Sequence, residues 1–139
     1  MSEKAYRLIN EHITGAYPYE ACGVLLTSTD DERIDCISQA SNEISAHKAK
    51  ERFFIDPVWF YGIEREAEIS AKKVLGFYHS HPDKPPVLSK KDEEYMIPGM
   101  IYIIASVTGL KCKEIRGYLK KGADDPALEI EIVREAALI

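Results

Sequence analysis

Apolar and polar positions divide the chain into alternating helix-like and strand-like stretches. Over residues 3–14, Ala5, Leu8, Ile9 and Ile13 recur at helical spacing against Lys4, Arg7 and Glu11, and the pattern stops at Gly15. Residues 23–28 and 33–39 read as a hairpin turning across Thr29-Asp30-Asp31-Glu32. A short strand is predicted over 52–55. Asp56 then caps a helix with Pro57 at its first position, running to about Lys73. Residues 74–81 read as a buried strand, a helix follows Ser89, and the apolar run 101–107 is another strand. The stretches 111–119 and 128–133 alternate like edge or half-exposed strands, with a turn at 122–126 between them. No repeat, low-complexity tract or linker interrupts this order. The reading is one α/β domain over residues 1–139.

Within that layout, one short stretch carries chemistry. His79-Ser80-His81-Pro82 ends the buried strand, and Ser89-Lys90-Lys91-Asp92 opens the next helix. Residues i and i+2 of a strand share a face about 6.6 Å apart, so both imidazoles can lean onto one ion. Ser89 reads as the helix N-cap, which puts Asp92 at the third helical position, in the turn where the helix dipole favours an ionised carboxylate. Two imidazoles and a carboxylate form a set that zinc accepts while keeping a fourth position open, and the same set also suits iron. Taken alone, S-x-x-D is an ordinary capping pattern and a strand His pair an ordinary surface feature. Their conjunction points to a metal, all the more because Pro82, Pro85 and Pro86 stiffen the loop between them.

Composition narrows the function. A net charge of −5 argues against a nucleic-acid binder. No apolar run approaches the roughly 20 residues needed to cross a bilayer, and Met1-Ser2-Glu3-Lys4 does not open a signal peptide. Cys22, Cys36 and Cys112 are odd in number and lack C-x-x-C spacing, as reduced cytoplasmic thiols would. The pairs Lys72-Lys73, Lys90-Lys91 and Lys120-Lys121 read as solvated surface, with Lys90-Lys91 close to the metal. Ser80, between the two histidines, faces the other side of the strand and reads as a packed or backbone-bonded hydroxyl. Cys22 shares strand phase with Glu20 and reads first as a small buried residue. His12 and His47 have no partner at ligand spacing and read as surface or capping residues.

The same residues resemble the JAMM (MPN-domain) metalloproteases, whose signature is an upstream glutamate followed by H-x-H-P-x6-S-x2-D. His79, His81, Pro82, Ser89 and Asp92 fill the metal motif. Pro18-Tyr19-Glu20-Ala21-Cys22-Gly23 is similar to the P-x-E-x-C-G of the small stand-alone prokaryotic members. Asn42 and Arg52-Phe53-Phe54-Ile55-Asp56-Pro57 also look like that branch, so the resemblance runs from about residue 3 to residue 120. It departs in the loop, where Pro85-Pro86 and Leu88 stand in place of the branch's Pro-Ala and pre-serine Pro. The resemblance implies a cytidine-deaminase-like fold, a mixed curved β-sheet flanked by helices. It also implies one Zn²⁺ per chain on His79, His81 and Asp92. Glu20 would be the group that takes and returns a proton, and Ser89 the hydroxyl donor to an oxyanion.

Three functions compete. The resemblance implies a zinc metallopeptidase or isopeptidase cutting after the C-terminal Gly-Gly tail of a ubiquitin-like or sulfur-carrier protein. The tail is expected to lie extended beside loop 82–88, pairing with an exposed strand edge. A metal-dependent hydrolase or deaminase of a small molecule is the second, though the H-x-E…P-C-x-x-C zinc signature is missing. A non-catalytic protein-interaction domain is the third, and the complete ligand set counts against it.

Overall fold

The computed structural model describes residues 1–29, 31–40 and 57–135. The strand expected at 52–55, the Asp56 cap of the following helix, Asn42 and His47 lie outside them. Helix α1 (Glu3–Ala16) starts at Ser2, whose Oγ accepts from the Ala5 N–H at 3.1 Å. It runs through Gly15 and ends where Tyr17 turns extended before Pro18, which has no N–H to continue a helix. Strands β1 (Cys22–Thr27) and β2 (Cys36–Ala40) make the expected hairpin.

Helix α2 (Pro57–Ile69) stops short of Lys73 because Ala71 sits in the left-handed region at φ 56°. The Lys72 N–H closes the turn on the Ala67 carbonyl at 2.7 Å. Strand β3 (Lys73–Pro82), the five-residue helix α3 (Lys90–Glu94), and strands β4 (Ile101–Thr108), β5 (Lys111–Leu119) and β6 (Leu128–Ile130) complete the order. Strand β6 is shorter than its alternation suggested. Strand β5 is half-exposed as expected, but it is not an edge.

The sheet is mixed, with strand order β2-β1-β3-β4-β5-β6. Among the described strands only β3 and β4 run parallel, so the chain must cross back between them, and this crossover (83–100) carries the proline loop and α3. Close approach here demands glycine. A Cβ on Gly76 would lie 1.8 Å from the Ile101 carbonyl oxygen.

A single irregularity sets which way the histidines face. Leu25 pairs with Gly76 but Leu26 with Val74, so Leu75 is an extra residue and the side-chain phase of β3 shifts there. Beyond it, Tyr78 and Ser80 turn towards α1, whose Ala5, Ile9 and Ile13 pack on Leu25, Ile103, Ala105 and Val107. Phe77, His79 and His81 turn to the opposite face. There α2 packs Phe60, Ile63 and Ala67 on Val24, Leu26 and Phe77, and Met96 packs on Ile104 and Tyr118. Each fully buried Leu or Ile in these layers contributes roughly 1.5–3 kcal/mol. Among the described residues, no helix is long and apolar enough to cross a membrane.

Candidate metal centre

Strand β3 delivers the two imidazoles and α3 delivers the carboxylate. His79 is buried, held between Cys22 of β1 and Ile104 of β4 in register, while His81 and Asp92 are half-buried. Nε2 of His79 lies 3.2 Å from Nε2 of His81. Asp92 Oδ2 lies 3.5 Å from the first nitrogen and 3.8 Å from the second. Among the described residues, this is the one group of three metal-ligating side chains that converge. Tetrahedral ligands at 2.0–2.1 Å from zinc stand about 3.3–3.4 Å apart, so the triangle fits that ion. Two ring nitrogens this close also oppose each other unless a cation or a proton lies between them.

The tautomer of His81 fits as well. The Pro85 carbonyl, 2.9 Å from Nδ1, can only accept, so Nδ1 carries the hydrogen and Nε2 keeps its lone pair. The loop that presents this carbonyl is clamped on either side. Ser106 Oγ donates to the Lys84 carbonyl at 2.7 Å and Tyr118 Oη to the Pro86 carbonyl at 3.0 Å. The Asp83 N–H donates to the Val107 carbonyl at 2.8 Å, and Tyr17 Oη donates to both Asp83 carboxylate oxygens at 2.9 Å. Ser106 and Tyr118 escaped the sequence reading, where their only mark was a polar group within an apolar or alternating strand.

Charge in the site follows from these contacts. Burial opposes ionisation of Asp92, but His79 and His81 beside it, with Ser89, hold its carboxyl well below the usual carboxylate range. Burial lowers His79, whereas for His81 the Asp92 carboxylate and the Pro85 carbonyl outweigh burial and raise it. A neutral His79 beside an ionised Asp92 is the state that binds a divalent cation.

The remaining sequence-marked residues fall around this triangle. Glu20, just before β1, is buried, and its charge bears on both His81 and Cys22. Cys22 pairs with His79 in register and faces the same side, yet burial, with Glu20 adding to it, pushes its thiol up to about 12. It stays a thiol. Ser89 is the N-cap of α3: its Oγ accepts from the Asp92 N–H at 2.9 Å, placing the ligand-bearing turn. Ser80 Oγ accepts from the Ala21 N–H at 2.9 Å, the backbone-bonded role expected of it. Lys90 and Lys91 are exposed.

One expectation changes. His12 is neither a surface nor a capping residue. It is half-buried with Nδ1 2.7 Å from Tyr78 Oη, because the Tyr78 ring crosses the bare face of Gly23 to reach α1. Strand β4 flanks β3 past both histidines, whereas the pairing of β1 with β3 ends at His79.

Comparison with known proteins agrees with this geometry. Residues 2–117 match the family of prokaryotic homologues of the JAB domain. A desampylase of Haloferax volcanii is 34% identical over 100 residues, covering 71% of this chain and 70% of its own. A solution structure from Desulfitobacterium hafniense superposes with a TM-score of 0.81 at 26% identity, covering 99% of this chain and 95% of that one. A structure described as JAMM, a metalloprotease-like zinc site in the proteasome and signalosome, shares the fold at a TM-score of 0.58. Its identity is 19%, with 97% of this chain and 95% of that one covered. With His79, His81 and Asp92 converging on one strand–helix crossover, the chain belongs to the prokaryotic JAB-domain family, the small prokaryotic branch of the JAMM/MPN proteins.

Proposed function

We propose that this chain is a zinc-dependent peptidase or isopeptidase that hydrolyses the bond after the Gly-Gly tail of a ubiquitin-like or sulfur-carrier protein. The triangle of His79, His81 and Asp92, with edges of 3.2, 3.5 and 3.8 Å, carries the reading. The desampylase likeness supports a ubiquitin-like modifier as the substrate class, and a cytoplasmic site of action goes with it. These three residues would hold the zinc, which would supply an activated water and polarise a carbonyl.

The chain's own groups supply the rest. Glu20, buried and electrostatically coupled to His81, accepts the proton of the attacking water and returns it to the leaving amine. Ser89 caps α3 by accepting, which uses a lone pair, and its hydroxyl hydrogen turns from the Asp92 carboxylate to donate to the oxyanion. We place the substrate tail extended beside the loop 82–88, pairing with an exposed strand edge. Glycines suit that position, because a chain without Cβ atoms passes close to the metal ligands.

The test is direct. The zinc-loaded protein is incubated with a Gly-Gly-tailed ubiquitin-like protein extended by one residue, and the intact mass is followed. Loss of the extra residue with zinc, and its retention after chelation, supports the reading. An unchanged substrate under both conditions overturns it.

A further inference from the structure

At the opposite end of β3, roughly 20–25 Å along the strand from the histidines, lies a second reactive pair. Cys36 opens β2, the outermost described strand on its side of the sheet, and Lys72 immediately precedes β3. The Lys72 ammonium donates to Cys36 Sγ at 3.4 Å, and both residues are half-buried. They line an open cleft of about 180 Å³ together with the polar side chains of Ser38, Glu66 and Ser70. Lys72 is not there by loose chance. The left-handed Ala71 and the Lys72 N–H bond to the Ala67 carbonyl fix the turn from which its side chain departs. The other two thiols have different surroundings. Cys22 is fully buried, and burial pushes both Cys22 and Cys112 up, away from the reactive thiolate.

We propose that Cys36 and Lys72 form an oxidation-dependent, reversible covalent cross-link. A hydroperoxide entering the cleft is attacked by the Cys36 thiolate. An S–O bond forms, the O–O bond breaks, and the Lys72 ammonium protonates the departing hydroxide to water. This leaves Cys36 as a sulfenic acid and Lys72 as a neutral amine already within reach of the sulfur. The amine then attacks that sulfur, the S–N bond forms, and the hydroxyl leaves as a second water with the proton lost by nitrogen. One thiolate, one ammonium and one hydrogen peroxide thus give one sulfenamide and two waters. Sulfur is oxidised by two electrons and the peroxide is reduced. The product ties β2 to the entry of β3 and stops Cys36 short of the irreversible sulfinic state, while thiols can reopen it.

The experiment treats the full zinc-loaded chain with one equivalent of hydrogen peroxide, alkylates the remaining thiols, and reads intact mass and a peptide map. The expected result is one alkyl group fewer on the intact chain and a linked Cys36–Lys72 peptide pair about 2 Da lighter than its two parts, both reversed by dithiothreitol. In Lys72→Arg, which keeps the charge but not the nucleophilic amine, Cys36 should instead gain about 16 Da and then about 32 Da. Three results would overturn the proposal. These are added oxygen on wild-type Cys36 with Lys72 unmodified, a mass loss that maps to a disulfide, and the same mass loss in Lys72→Arg as in wild type.

Discussion

The Pro85 carbonyl accepts from Nδ1 of His81 at 2.9 Å, and through that one bond the proline loop sets which nitrogen of His81 faces Asp92. The loop keeps this carbonyl in place because its neighbours, the Lys84 and Pro86 carbonyls, are held by Ser106 and Tyr118. Three consecutive acceptors are therefore fixed from β3, β4 and β5. Only one of the three donors, His81, belongs to the triangle itself.

Loosening the other two donors should reach the metal. Ser106→Ala and Tyr118→Phe each remove a hydrogen bond at a net cost of about 0.5–1.5 kcal/mol, read as a lower Tm. Each should also weaken zinc binding towards the 10–100-fold seen when outer partners of ligands are lost. Competition with a chromophoric chelator measures this, and wild-type zinc affinity in both variants would detach the loop from the metal.

Removing a ligand should act more strongly. Asp92→Ala deletes the only carboxylate of the triangle and leaves His79 and His81 as a two-nitrogen set. Purified Asp92→Ala and the His79→Ala, His81→Ala double variant should carry far less than one zinc per chain by elemental analysis. Full occupancy in the double variant would place the metal elsewhere.

Much of this centre was legible in the sequence because strand periodicity is local. H-x-H on a strand puts two rings on one face, and a Ser three residues before an Asp caps a helix whatever surrounds it. The strand order of the sheet and the Leu75 bulge were not legible, since both depend on pairing between distant segments. The role of His12 was missed for the same reason. Its partner Tyr78 is 66 residues away, and only the packing of α1 over Gly23 brings them together. The helix ends also moved. Gly15 reads as a stop but Ala16 is the last helical residue, and Ala71 ends α2 from a left-handed turn that its sequence does not advertise.

That distant pair gives a pH dependence independent of the metal. Burial holds the His12 imidazole below its ordinary value of about 6.5, so the unfolded chain binds its proton more readily. Between the folded-state value and about 6.5, stability therefore rises with pH, and the contribution is lost as pH falls through that window. The drop in Tm from pH 7.5 to pH 5.5 should be smaller in His12→Gln than in wild type. Identical drops would show that His12 does not titrate with folding.

The central claim is that the triangle binds zinc while Glu20 moves the proton, and Glu20→Gln separates the two. The amide keeps the shape of the side chain but cannot accept a proton. Zinc content and cleavage of a Gly-Gly-tailed ubiquitin-like substrate are measured on the same preparations of variant and wild type. The account predicts one zinc per chain in both, with kcat in the variant lower by about 10²–10⁴-fold. Cleavage at the wild-type rate by zinc-loaded Glu20→Gln would contradict it.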